Sequence, residues 1–115
     1  MKAKIFHNPR CSKSRKTLQL LLERKIEIEI VEYLKKPPDC QTLKNILKML
    51  DINPFDLVRK GEKLYKELGV SEHENNTDML LKIMTQNPIL IERPIVIANN
   101  KAIIGRPPEL VLNII

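Results

Sequence analysis

The first 32 residues constrain the fold most. A short apolar run, Ala3-Lys4-Ile5-Phe6, is followed by an amphipathic pattern carrying Leu18, Leu21 and Leu22. Then come Ile26, Ile28 and Ile30, which alternate with charge. The middle segment has the spacing of a helix face and the last has the period of a strand. A strand, a helix and a strand so close together predict a βαβ unit with a parallel pair.

The patterns that follow extend the order. Lys36-Pro37-Pro38 breaks the chain, and Asp39 is placed to cap a helix whose Leu43, Ile46, Leu47 and Leu50 fall on one face. A polar helical region is expected over 57–68, stopping at Gly69. Another helix, with Leu80, Leu81, Ile83 and Met84, is expected to be capped by Thr77 or Asp78 and closed by Asn87-Pro88. Pro94-Ile95-Val96-Ile97-Ala98 reads as a buried strand. Asn99-Asn100 is a hairpin turn signal before Ala102-Ile103-Ile104. Pro107-Pro108-Glu109 opens a last expected helix, with Leu110, Val111, Ile114 and Ile115 as its apolar positions. The order β-α-β, a helical block at about 39–87, then β-β-α matches a thioredoxin-like α/β fold with a mixed four-stranded sheet. All 115 residues are read as one domain and the helical block as an insertion in it.

With two Phe, two Tyr and no Trp, the core must rest on Leu, Ile and Val. No apolar run is long enough to span a membrane, and the N-terminus does not read as a signal peptide. Two cysteines in that setting point to a reducing, cytoplasmic protein. The net charge is +6. Lys2, Lys4, Arg10, Lys13, Arg15 and Lys16 lie within the first sixteen residues without a single acid, and the rest of the chain is balanced. The excess is therefore local. Few aromatics argue against a single-strand stacking surface, and no helix-turn-helix or zinc spacing occurs. A pocket for a small anion explains the localisation at least as well as nucleic acid, with a solvated charged face as the plain alternative.

That basic stretch holds His7-Asn8-Pro9-Arg10-Cys11-Ser12-Lys13-Ser14-Arg15. A thiol between a strand and a helix N-terminus meets free N–H groups and the positive end of the helix dipole, and both favour the thiolate. The resolving position of a Cys-x-x-Cys motif is Ser14, so an internal disulfide is ruled out at the motif. A reactive Cys11 then needs an external thiol, or Cys40, which reads as an ordinary thiol. A protonated His7 near the sulfur would lower its pKa, although a histidine bonded to backbone at a strand end fits equally. Ser12 and Ser14 are candidates to donate to an oxyanion or to cap the helix, with capping the plainer role for Ser12. Arg93 and Arg106 each precede a proline at the start of a regular element. Taken alone, each reads as a surface arginine, although guanidinium suits tetrahedral oxyanions. Pro94 is a candidate cis proline. No Cys-x5-Arg loop is present, because Thr17 occupies the arginine position, and no Walker loop, dinucleotide fingerprint or metal-ligand spacing occurs.

The segments HNPRCSKSR, LVRKGEKLYKELG and ERPIVIANNKAIIGRPPE resemble the glutaredoxin-coupled arsenate reductase family across essentially the whole chain. The resemblance implies that Cys11 attacks arsenate, that His7 supports the thiolate, and that Arg59, Arg93 and Arg106 hold the oxyanion. It also implies that Pro94 is cis. No bound cofactor is implied. Glutathione is the implied co-substrate and glutaredoxin the implied protein partner. Arg10, Ser12, Lys13 and the IGRPPE tail depart from the best-known members and resemble a housekeeping branch. The same fold includes Spx-type regulators that bind RNA polymerase, and a monothiol oxidoreductase acting on glutathionylated proteins is a further alternative.

Overall fold

The computed structural model describes residues 1–115, which form two compact units: residues 1–36 with 93–115, and residues 37–92. The first unit holds the sheet. Its strands are β1 (Lys2–Phe6), β2 (Glu27–Val31), β3 (Ile95–Ala98) and β4 (Lys101–Ile104), in the order β2-β1-β3-β4. β1 pairs in parallel with β2, from Lys2 opposite Glu27 to Phe6 opposite Val31. It pairs antiparallel with β3, where Ala3 faces Ala98 and Phe6 faces Ile95. The expected mixed four-stranded sheet is present, and β1 is central because it has a partner on each side.

Helix α1 (Ser12–Glu23) makes the crossover between the parallel strands. Its Leu21 joins Ala3, Ile5, Val96, Ala98, Val111 and Ile114 in one buried cluster, with Leu18 and Ile28 packed against it. A fully buried leucine stabilises by about 1.5–3 kcal/mol. Leu22 does not share this face and is 54% exposed. Ile30 keeps the strand period, yet it is 49% exposed because β2 is an edge strand.

Asn99 and Asn100 both take positive φ, 53° and 61°, as a two-residue primed hairpin turn requires. The last helical segment is a 3-10 helix, Pro108–Asn113, rather than an α-helix. Six residues opened by proline favour i→i+3 closure, as in Leu110 N–H to Pro107 O. Gly105 allows this end of the chain to lie close to α1, since a Cβ there would come within 2.7 Å of Thr17 Oγ1. The Arg93–Pro94 peptide is cis, and so is Arg106–Pro107. No local residue pattern distinguishes the second.

The second unit is helical. α2 (Cys40–Leu50) is capped by Asp39, whose carboxylate accepts from the Thr42 N–H at 2.8 Å. α4 (Thr77–Gln86) is capped by Asn76 rather than by Thr77 or Asp78, with its side-chain oxygen accepting from Met79 N–H. The helix expected over 57–68 shrinks to α3 (Lys63–Glu67). Before it, Val58 forms an antiparallel bridge with Ile91. Arg59 N–H donates to Leu90 O, and Glu92 N–H to Leu57 O. These long-range bonds satisfy the backbone in extended form, which outweighs a helical pattern that buries none of the residues of α3. The helical block read at about 39–87 lies inside this unit. No helix is long and apolar enough to cross a membrane.

Candidate active site

Cys11 occupies the N-cap position of α1, with extended backbone (φ −92°, ψ 122°) and no side-chain capping bond. The loop before it is tied by its own backbone. Cys11 N–H donates to Asn8 O, Arg10 N–H to Asn8 Oδ1, and the Arg15 guanidinium to Pro9 O, each at 3.0 Å. The thiol is partly exposed.

Arg106 Nη2 donates to the sulfur at 3.5 Å, and the Arg93 side chain acts on it as a further donor. The N–H groups of Ser14 and Lys13, in the first turn of α1, favour the thiolate without closing a capping bond. Burial is the largest single influence on the thiol and raises its pKa. The Ser14 N–H, the Arg93 side chain and the Lys13 N–H act against it, and the net result is a pKa below the ordinary value. Arg106 is held in turn, because its Nε donates to Arg93 O at 2.7 Å. Two arginines thirteen positions apart are thereby locked together beside one sulfur. The hairpin of β3 and β4 brings them there by returning the chain to the end of the sheet where β3 began.

His7 and Ser14 form a second group. Ser14 is fully buried. Its hydroxyl lies 2.6 Å from His7 Nδ1 and accepts from Asn8 N–H at 3.0 Å. The hydroxyl expected to meet an oxyanion is thus engaged inside the protein, and what Ser14 offers the thiol is its backbone N–H. His7 is also buried, and burial lowers its pKa. Glu32 acts in the opposite direction and Arg15 adds to the lowering. His7 is thus held below the ordinary histidine value. It braces the turn through Ser14, while the guanidinium groups of Arg93 and Arg106 stand beside the sulfur. Ser12 is exposed and provides no cap.

Arg59 lies in the second unit. There Glu62 (3.4 Å) and Glu92 (3.7 Å) both pair with its guanidinium. Neither carboxylate was marked by any local pattern. Cys40 is exposed, with its sulfur 3.6 Å from Thr85 Oγ1.

Two effects are expected. Ser14→Ala leaves a buried ring nitrogen and a buried N–H without their partner, so urea unfolding should show a loss of about 1–3 kcal/mol. His7 has a folded-state pKa below its unfolded value of about 6.5. Its contribution is full above that value and is lost as pH falls through the folded pKa, because the unfolded chain binds the extra proton. Between pH 7 and 5 the urea midpoint of the native protein should therefore fall more steeply than that of His7→Gln.

A four-stranded mixed sheet with one thiol at the N-terminus of its crossover helix, and a cis proline opening the strand beside it, defines a thioredoxin-like protein with a single-cysteine site. Residues 6–114 match the ArsC family, and the chain belongs to it. It is 53% identical over 113 residues to the uncharacterized protein YfgD of Escherichia coli K12, covering 97% of this chain and 95% of that one. It is 50% identical over 107 residues to an arsenate reductase of Neisseria meningitidis serogroup B, covering 92% of each. The solved structure of an arsenate reductase from Vibrio cholerae superposes with a TM-score of 0.96 at 43% identity, over 100% of this chain and 98% of that one.

Proposed function

We propose that the protein is a cytoplasmic arsenate reductase in which Cys11 is the only protein nucleophile and glutathione and glutaredoxin supply the electrons. The observation that carries this is the set of donors on the sulfur. Two guanidinium groups stand at one thiol, and the first-turn N–H groups of Ser14 and Lys13 act on it as well. They favour the thiolate, and they suit a tetrahedral oxyanion brought to it.

The Cys11 thiolate attacks arsenic, an As–O bond breaks, and the oxygen leaves as hydroxide or water. Arg93 and Arg106 balance the charge that shifts from sulfur to the arsenic oxygens. Glutathione then replaces a hydroxyl on arsenic, with its proton leaving in water. A glutaredoxin thiolate attacks the glutathione sulfur. A disulfide forms, and the electron pair of the S–As bond stays on arsenic, which goes from the +5 to the +3 state. Hydrolysis of the remaining bond to Cys11 releases arsenite and restores the thiol. Ser14 at the resolving position fits this route, because the second thiol must come from outside. By the family resemblance Arg59 is a further residue for the oxyanion.

The test is glutathione oxidation followed with glutaredoxin present and arsenate varied. Turnover that saturates with arsenate and vanishes without it is expected. No arsenate-dependent turnover by fully reduced protein would overturn the proposal.

A further inference from the structure

A cleft of about 170 Å³ opens beside the loop that carries Cys11, walled by Pro9, Arg10, Glu32, Leu34 and Lys35. Its charges are one carboxylate and two cations. Arg10 is exposed, forms no ion pair, and immediately precedes the nucleophile. Glu32 and Lys35 lie 3.7 Å apart, with side chains 44% and 78% exposed. An ion pair so exposed contributes about 0–1 kcal/mol and yields readily to a better-matched partner. Leu34 keeps 38% of its surface exposed and, with Pro9, gives the cleft an apolar side. The cleft is smaller than the roughly 300–1,000 Å³ that encloses a drug-sized ligand. It takes one end of a flexible molecule.

We propose that this cleft is the subsite for the zwitterionic head group of the thiol co-substrate, the γ-glutamyl end of glutathione, a proposal that rests on the reductase function above. An α-amino acid head carries one ammonium and one carboxylate. Glu32 accepts the ammonium, while Arg10 and Lys35 hold the carboxylate. The chain beyond the head carries the thiol, and Arg10 is one residue from Cys11, so the sulfur comes within reach of an arsenic atom held there. In this step the glutathione S–H bond breaks, an S–As bond forms, and an As–OH bond breaks with water leaving. Arsenic stays in the +5 state. The head-group contacts raise the local concentration of the thiol and leave the chemistry at Cys11 unchanged. Neither Arg10 nor Lys35 touches the sulfur, so both are binding residues for the co-substrate.

The experiment varies glutathione at saturating arsenate in Arg10→Ala, Lys35→Ala and the double variant. Lys36→Ala, outside the cleft, is the control. The KM for glutathione is expected to rise about threefold to fivefold in each single variant, the upper part of what the loss of one partly exposed charge contact implies. The KM for arsenate should stay within about twofold. The preference for glutathione over 2-mercaptoethanol, which has no head group, should fall in the double variant. Glu32→Gln is a secondary test, because Glu32 also acts on His7. An unchanged KM for glutathione with arsenate turnover intact overturns the cleft and leaves the reductase standing. If the native protein shows no arsenate turnover, amide NMR with S-methylglutathione decides the cleft separately. Shifts at Arg10, Glu32 and Lys35 that disappear in the double variant support it, and their absence overturns it.

Discussion

Cys11→Ser is expected to lower arsenate-dependent turnover by at least about 10³-fold, as removal of a nucleophile commonly does, while the fold persists. A serine hydroxyl fits the same space, but the donors around it cannot bring its proton off near neutral pH. The groups that lower the pKa of the thiol from its ordinary value fall far short for an alcohol. Glutathione oxidation with saturating arsenate measures the loss, and a urea curve close to that of the native protein separates it from unfolding. Cys40→Ser should retain activity, since Cys40 is an exposed thiol that lies beside Thr85 in the second unit. Substantial turnover by Cys11→Ser would place the chemistry elsewhere.

Arg106→Ala should have the second largest effect, a loss of about 10²–10³ in kcat/KM, the range seen when one donor to a developing oxyanion is removed. The substitution deletes the Nη2 contact to the sulfur and also the Nε bond that holds Arg93 O. One guanidinium is then gone from the sulfur, and the Arg93 backbone loses a bond that fixes it. The same change should move the alkylation midpoint of Cys11 with iodoacetamide upward, toward the ~8.5 of a free thiol. Arg106→Lys should rescue little, because one ammonium nitrogen cannot stand where both Nε and Nη2 stand to reach Arg93 O and the sulfur. A midpoint that does not move would mean that the first turn of α1 and Arg93 hold the thiolate without Arg106.

Local chemistry made much of the fold legible. The alternation of Ile26, Ile28 and Ile30 marked β2, Asp39 marked the start of α2, and Asn99-Asn100 marked the hairpin. In each case the signal and the bonds it predicts lie within a few residues of one another. The misreadings fall where a distant partner decides. Val58 and Arg59 leave the helical pattern because Val58 bridges to Ile91 and Arg59 N–H bonds to Leu90 O, more than thirty positions away. Leu22 and Ile30 fit their periods yet stay exposed, because a pattern marks a face without stating what covers it.

The site divides in the same way. The sequence by itself determined that Cys11 would stand at the start of a helix in a basic turn, and that Ser14 leaves it without a resolving thiol at the motif. Both follow from residue type and short-range order. Only the tertiary structure decided what surrounds the sulfur. It set Arg93 and Arg106 against a thiol more than eighty positions earlier, turned Ser14 inward to a buried His7, and paired Arg59 with Glu62 and Glu92. The physical reason is that a charge acts through distance in space. Sheet pairing and the hairpin set that distance, and spacing along the chain does not carry it.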